Sequence, residues 1–272
     1  MDDIAPPPAA PERKPDPVVR RADGSWLYML PSVIDDVAMG ITDVLRGEDH
    51  VSNTASQVQM FHALGAQPPR FAHEALLTGS EGKLSKRLGS LGMAELRDQG
   101  IEPMAILALL ARLGTSQPVE PVTETAPLIA GIDFGHFGRA PARFDEAELA
   151  QLNAKILHQT DFAAVSDRLP RGMDEAGWTA IRPNIEKLAD AESWWSVATG
   201  DVSATLAAED KDYVAQAISA AENLDWENDP WHALTNALKE LTERKGKALF
   251  LPLRQALTGQ DHGPDMKALL PI

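Results

Sequence analysis

A short branched run, Ile41-Thr42-Asp43-Val44-Leu45-Arg46, stops at Gly47 and leads into a helical stretch closed by Gly65 and Pro68-Pro69. Ser52 or Asn53 can cap that helix, and Val58, Phe61 and Leu64 give it an apolar stripe. An extended segment, residues 71–77, follows. Strand, helix and extended segment in this order predict a small α/β unit with Ile41 to Arg46 as a buried strand. In open α/β sheets ligands sit just past the carboxyl ends of strands, which is where Arg46 falls, and Gly47 permits close backbone approach. An Arg fork there reads a carboxylate bidentately or pairs structurally with Glu48 or Asp35; the spacing admits both.

The second constraint is a basic loop, Lys83-Leu84-Ser85-Lys86-Arg87, bounded by Gly79, Gly82 and Gly89. The chain's net charge is -15, so cations gathered in a glycine-bounded loop suit an anion such as polyphosphate. A solvated basic turn is the structural alternative. The loop lacks the Gly-Lys-Ser/Thr order of a Walker loop, and Ser85 lies in no Gly-x-Ser-x-Gly elbow. Asp35-Asp36 and Glu48-Asp49 read as a metal cluster or as solvated turns and helix caps. His50, His62 and His73 lack zinc-ligand spacing. Trp26, Trp194 and Trp195 read as packing aromatics. The chain has no Cys, which excludes disulfides and thiolate chemistry. It has no long apolar run and no secretory or transit signal, so a soluble cytoplasmic protein is expected.

Residues 1–17 hold six prolines and read as a disordered leader. Val18-Val19 and Trp26-Leu27-Tyr28 flank a turn at Ala22-Asp23-Gly24-Ser25, predicting a short hairpin. Pro103 starts a helix that runs to Leu113, and residues 115–130 read as an irregular joint. Beyond it Asp145 caps a helix with Glu148 at the third helical position, and helical patterns continue at 185–188, 215–220, 234–241 and 249–257. The acidic balance argues against broad nucleic-acid binding but leaves local basic faces: Arg20-Arg21, Arg139 with Arg143, and Arg244, Lys245 and Lys247.

The order of these parts resembles a known family. Residues 28–36, 40–50, Ser52-Asn53-Thr54, Leu64-Gly65 with Pro68-Pro69-Arg70-Phe71, and Lys83-Leu84-Ser85-Lys86-Arg87 together resemble bacterial glutamyl-tRNA synthetase, a class I aminoacyl-tRNA synthetase. The resemblance continues through residues 138–145, 245–250 and 252–259. It implies a mainly α chain with a small α/β part. That part would be the second half of a class I Rossmann catalytic domain with a stem-contact region, followed by an all-α anticodon-binding domain. The expected boundaries are 1–17, 18–115 and 116–272.

The resemblance also implies roles. Lys86 would contact ATP phosphates, Lys83 and Ser85 would shape the loop, and Leu84 lies within the same ATP-binding signature. Arg46 would contact glutamate, Tyr28 would line its pocket, and Ser32 stands where the family more often has Asn. Asp49 would face ATP, with Mg²⁺ accompanying the nucleotide. Arg139, Arg143, Arg244, Lys245 and Lys247 would contact tRNA(Glu). The family's His-Ile-Gly-His-like motif has no counterpart in residues 1–40, so a separate chain carrying the missing catalytic half is an expected partner. A non-catalytic tRNA-binding module is the alternative. Loss of half a parallel sheet would leave an exposed edge and apolar face.

Overall fold

The computed structural model describes residues 16–79, 92–222, 224–226 and 228–272, and the backbone of residues 82–83. Leader residues 1–15, and Leu84, Ser85, Lys86 and Arg87 of the basic loop, lie outside the described residues. The chain forms two compact units: residues 1–77 with 137–142, and residues 78–136 with 143–272.

The first unit begins with the expected turn. Arg20 and Trp26 form a single antiparallel bridge, Leu27 N donates to Val19 O at 2.9 Å, and the Asp23 carboxylate accepts from Ser25. The hairpin is shorter than its sequence suggested because Tyr28 caps a helix, α1 (Met29–Met39), that the pattern reading did not foresee. Gly40 ends α1 at φ 66°, a conformation an L side chain adopts at a cost; its N–H bonds Val37 O while Ile41 N bonds Asp36 O. Val33, on the buried side of α1, is fully enclosed with Phe61 and Gln57 of α2 (Val51–Ala63).

Between the helices runs β1 (Asp43–Gly47), paired in parallel with β2 (Arg70–Glu74); Asp43 faces Arg70, Val44 faces Phe71 and Arg46 faces His73. The expected strand forms, but it is not buried. Val44, Arg46, Phe71 and His73 lie on the partly covered face, whereas Leu45 is 47% exposed on the other. This sheet has two strands among the described residues, and its second face is left partly exposed. Asp43 and Arg70 pair there at 2.7 Å, and that guanidinium holds the Asp43 carboxyl below its ordinary range. The expected cap of α2 also moves. A 3-10 turn (Glu48–His50) precedes the helix, so Asn53 lies inside it with its side chain free for other partners.

The chain passes between units at β3 (Leu77–Gly79), whose Thr78 pairs with Lys83 of β4 (Gly82–Lys83). The second unit is helical. Helices α3 (Met93–Asp98), α4 (Pro103–Leu110) and α5 (Thr125–Ala130) come first; α5 falls within the segment read as an irregular joint. After β5 (Ala142–Arg143), Asp145 caps α6 (Glu146–Leu157) by accepting from the N–H groups of Ala147 and Glu148. Leu96, Leu109, Phe144, Leu149 and Ile156 form one apolar cluster around α4 and α6.

A second cluster gathers Leu157, Trp178, Ile181 and Ile185 with α7 (Glu175–Ile181) and α8 (Asp190–Thr199). Trp194 and Trp195 pack against it, as read; Trp26 in the first unit instead stands 55% exposed beneath the Arg20 guanidinium. The helix expected over 185–188 is absent: Ile185 is extended, and the Asp190 carboxylate binds the Glu186 and Lys187 N–H groups. A third cluster joins α9 (Lys211–Ala221), α10 (Pro230–Leu241) and α11 (Lys247–Thr258) through Tyr213, Leu238, Leu249 and Leu253. The short α12 (Met266–Leu269) returns Met266 and Leu269 to the second cluster. Each fully buried Leu contributes about 1.5–3 kcal/mol, so these seams set the helix positions. Among the described residues no helix is long and apolar enough to cross a membrane.

Candidate active site

The parallel register places Arg46 and His73 side by side at the carboxyl ends of β1 and β2. Helix α2 starts immediately beyond, and its first turn meets both. Thr54 Oγ1 accepts from Arg46 Nη2 at 2.5 Å, lies 2.8 Å from His73 Nε2, and sits 3.1 Å from His50 O. The Arg46 guanidinium also stacks on Phe71, with 5.0 Å from its carbon to the ring centre. Stacking fixes the guanidinium plane and Thr54 fixes its rotation. Arg46 Nε is buried without a hydrogen-bond partner in the described structure. A charged donor left without a partner away from water costs several kcal/mol unless a ligand or water meets it.

Asn53, next along α2, donates from Nδ2 to Tyr28 Oη at 2.6 Å and lies 3.3 Å from His50 Nδ1. Tyr28 Oη is itself 3.4 Å from His50 Nδ1, and the rings meet edge-on. Because the phenol oxygen accepts from Asn53, its own proton points to His50 or outward. Ser32 donates to Met29 O at 3.1 Å and accepts from Gln57 Nε2 at 2.9 Å, tying α1 to α2. Gln57 is 3% exposed and its Oε1 has no partner. Asp49 folds back over Gly47: a Cβ on that glycine would meet Asp49 Oδ1 at 2.6 Å, so a side chain there would displace the carboxylate. Arg46 makes no ion pair with Glu48 or Asp35, leaving its charge unmatched among the described residues.

Tyr28, Ser32 and Arg46 therefore converge on α2, while Asp49 lies on the exposed turn before it. His50, Asn53, Thr54, Gln57, Phe71 and His73 complete the cluster. Asn53 and Thr54 were visible as part of the family-like run, but their partners were not. His73 needed the β1–β2 register, which no local pattern encodes.

Lys83 is described only as a strand residue paired with Thr78, and Ser85, Leu84 and Lys86 lie outside the described residues. Arg139, Arg143, Lys245 and Lys247 are exposed. Arg244 differs: its guanidinium pairs with Asp210, donates to Glu209 O at 3.0 Å and covers the Tyr213 ring at 4.4 Å. It braces α9 against the turn before α11.

A family model described as "tRNA synthetases class I (E and Q), catalytic domain" matches residues 9–149, and an "Anticodon binding domain" model matches residues 172–272; the chain belongs to the class I tRNA synthetases of the E and Q group.

Within that group it is 70% identical over 258 residues to glutamate--tRNA ligase 2 of Sphingopyxis alaskensis, covering 94% of this chain and 59% of the relative. It is 66% identical over 263 residues to glutamate--tRNA ligase 1 of Novosphingobium aromaticivorans, covering 96% and 60%. The fold matches the crystal structure of glutamate-tRNA synthetase from Elizabethkingia anophelis with a TM-score of 0.74 at 23% identity, over 94% of this chain and 59% of that one. The chain thus spans about 59% of the length of the first of these relatives.

Proposed function

We propose that this chain serves the ATP-dependent attachment of glutamate to tRNA, holding the amino acid's carboxylate at Arg46 and Tyr28. The observation that carries the reading is Arg46. It is stacked, rotationally fixed and, among the described residues, unmatched by an acid, at the end of a parallel strand. Its free N–H groups and the Tyr28 hydroxyl suit the two oxygens of a carboxylate. Two relatives at 70% and 66% identity carry the name glutamate--tRNA ligase, which favours glutamate as the carboxylate's owner.

Around that contact the other roles follow from the family. Ser32 lines the amino-acid pocket and Asp49 faces ATP. Lys86 neutralises the phosphates as charge shifts during adenylate formation, with Lys83 and Ser85 shaping the loop and Leu84 lining the ATP site. Mg²⁺ enters on the ATP phosphates; among the described residues no group of three His, Asp or Glu side chains is arranged to hold a resident ion. Residues 172–272 hold tRNA(Glu), assisted by the exposed cations Arg139, Arg143, Lys245 and Lys247; Arg244 acts by bracing the fold. The site of action is the cytoplasm. Further catalytic-domain structure, on this polypeptide or on a separate chain, is the fitting cover for the first unit, because Leu45, Ile41 and Met39 are 47%, 37% and 75% exposed.

The test is titration of the purified chain with glutamate, glutamine and aspartate. Glutamate binding that Arg46→Ala abolishes supports the site. Equal binding by the variant, or no preference for glutamate over glutamine, removes it. Failure to hold tRNA(Glu) better than a scrambled RNA at moderate salt would remove the tRNA role.

A further inference from the structure

The hydroxyl of Thr54 meets three polar groups, and its bonding capacity decides what each must be. A threonine oxygen offers one proton and two lone pairs. Arg46 Nη2, at 2.5 Å, can only donate. His50 O, at 3.1 Å, can only accept, and the hydroxyl points its single proton at this carbonyl one helical turn back. The remaining lone pair faces His73 Nε2 at 2.8 Å, and the contact is a hydrogen bond only if Nε2 carries a proton.

We infer that Thr54 is a positioning residue that locks His73 as its Nε2–H tautomer and sets the rotation of the Arg46 guanidinium. The consequence reaches the ligand. With Nη2 tied to Thr54 and the plane set by Phe71, the guanidinium has one rotation left to offer a carboxylate. Binding then needs no reorientation, which is where a preorganised fork gains affinity over a mobile one. The carboxylate part of this inference rests on the functional reading above; the tautomer and the rotation do not.

The experiment uses the ¹⁵N-labelled full chain at about pH 8, above the ordinary imidazole range. Long-range ¹H–¹⁵N spectra separate a pyrrole-type from a pyridine-type ring nitrogen. His73 is expected to show a pyrrole-type Nε2 and a pyridine-type Nδ1, with a distinct, slowly exchanging Arg46 Nε–H. In Thr54→Val, which keeps the branched shape without the hydroxyl, His73 becomes a tautomer mixture and the Arg46 signal broadens. Thr54→Ser restores both.

A pyridine-type Nε2 in the wild type, or unchanged His73 and Arg46 signals in Thr54→Val, overturns the inference. Glutamate titration adds a second arm: Thr54→Val weakens binding about tenfold and Thr54→Ser does not, the size expected for one hydrogen bond to a charged group. If the tautomer is as stated and the wild type ignores glutamate, the glutamate reading fails while the positioning role stands. If glutamate binds and the tautomer is reversed, the opposite holds. A far-UV spectrum and melt of each variant confirm folding.

Discussion

Asn153 is fully buried in α6 and is the polar joint of the helical unit. Its Oδ1 accepts from Glu102 N at 2.7 Å, and its Nδ2 donates to Glu186 O at 2.7 Å and more weakly to Gly100 O at 3.4 Å. One side chain thus fixes the N-terminus of α4 and the turn before α8 against α6. Asn153→Ala leaves two well-made bonds without partners, at about 1–3 kcal/mol each, so a loss of about 3 kcal/mol is expected.

Asn153→Asp sharpens the test. The first oxygen of the new carboxyl keeps the Glu102 bond, but the second faces two carbonyl oxygens, so a buried carboxylate is repelled. The introduced group therefore has a folded-state pKa above its unfolded value. Its penalty relative to wild type is largest above the folded pKa and shrinks as pH falls through it, when the protonated oxygen donates to Glu186 O. Urea unfolding followed by tryptophan fluorescence measures this, because Trp178, Trp194, Trp195 and Trp231 all belong to the helical unit. Asn153→Ala within about 0.5 kcal/mol of wild type would refute the reasoning, since such a value is that of an ordinary surface substitution. So would Asn153→Asp proving no less stable than Asn153→Ala at about pH 8, where the carboxylate is charged.

Three further outcomes are expected. Asp229 caps α10 at φ 45°, and the Lys267 ammonium 2.8 Å away holds its carboxyl below the ordinary range, so its stabilisation is lost as pH falls through that lowered pKa. Asn tolerates the same backbone, so Asp229→Asn should be the less stable protein at neutral pH and converge with wild type in acid, read from melting temperatures across pH. Tyr213 Oη donates to Leu249 O at 2.8 Å, and burial raises its pKa against the opposing pull of Arg244. Tyr213→Phe should cost about 1 kcal/mol at neutral pH and remove a loss of stability seen as pH climbs past the ordinary tyrosine range, checked by urea unfolding at both ends. Gly40→Ala should destabilise the first unit by about 1 kcal/mol through backbone strain, since no atom crowds the new methyl; hydrogen exchange of α1 amides reads it.

The sequence carried the local grammar well. Pro103 starts α4 and Asp145 caps α6, because each is decided within a few residues. Arg46 at a strand end followed by Gly47 was equally legible. What the sequence hid were pairings across distance: the Arg46–His73 register, the bond from Asn53 to Tyr28, and Asn153 reaching Glu186. α1 was hidden because it lacks a polar start signal: Tyr28 stands at its N-cap without a side-chain cap bond, and Pro31 falls in its first turn. Arg244 read as a free cation beside Lys245 and Lys247, and only the fold brings Asp210 and Tyr213 beneath it.

The measurement that tests the central claim most directly is glutamate-dependent ATP–pyrophosphate exchange with tRNA(Glu) present. The chain is assayed alone, mixed with the N-terminal part of the Sphingopyxis alaskensis relative, and as Lys86→Ala and Arg46→Ala variants in the same mixture. Exchange that appears in the mixture and is lost in both variants is the result the account predicts. Exchange indifferent to Lys86 and Arg46, or none from a folded mixture, would contradict it.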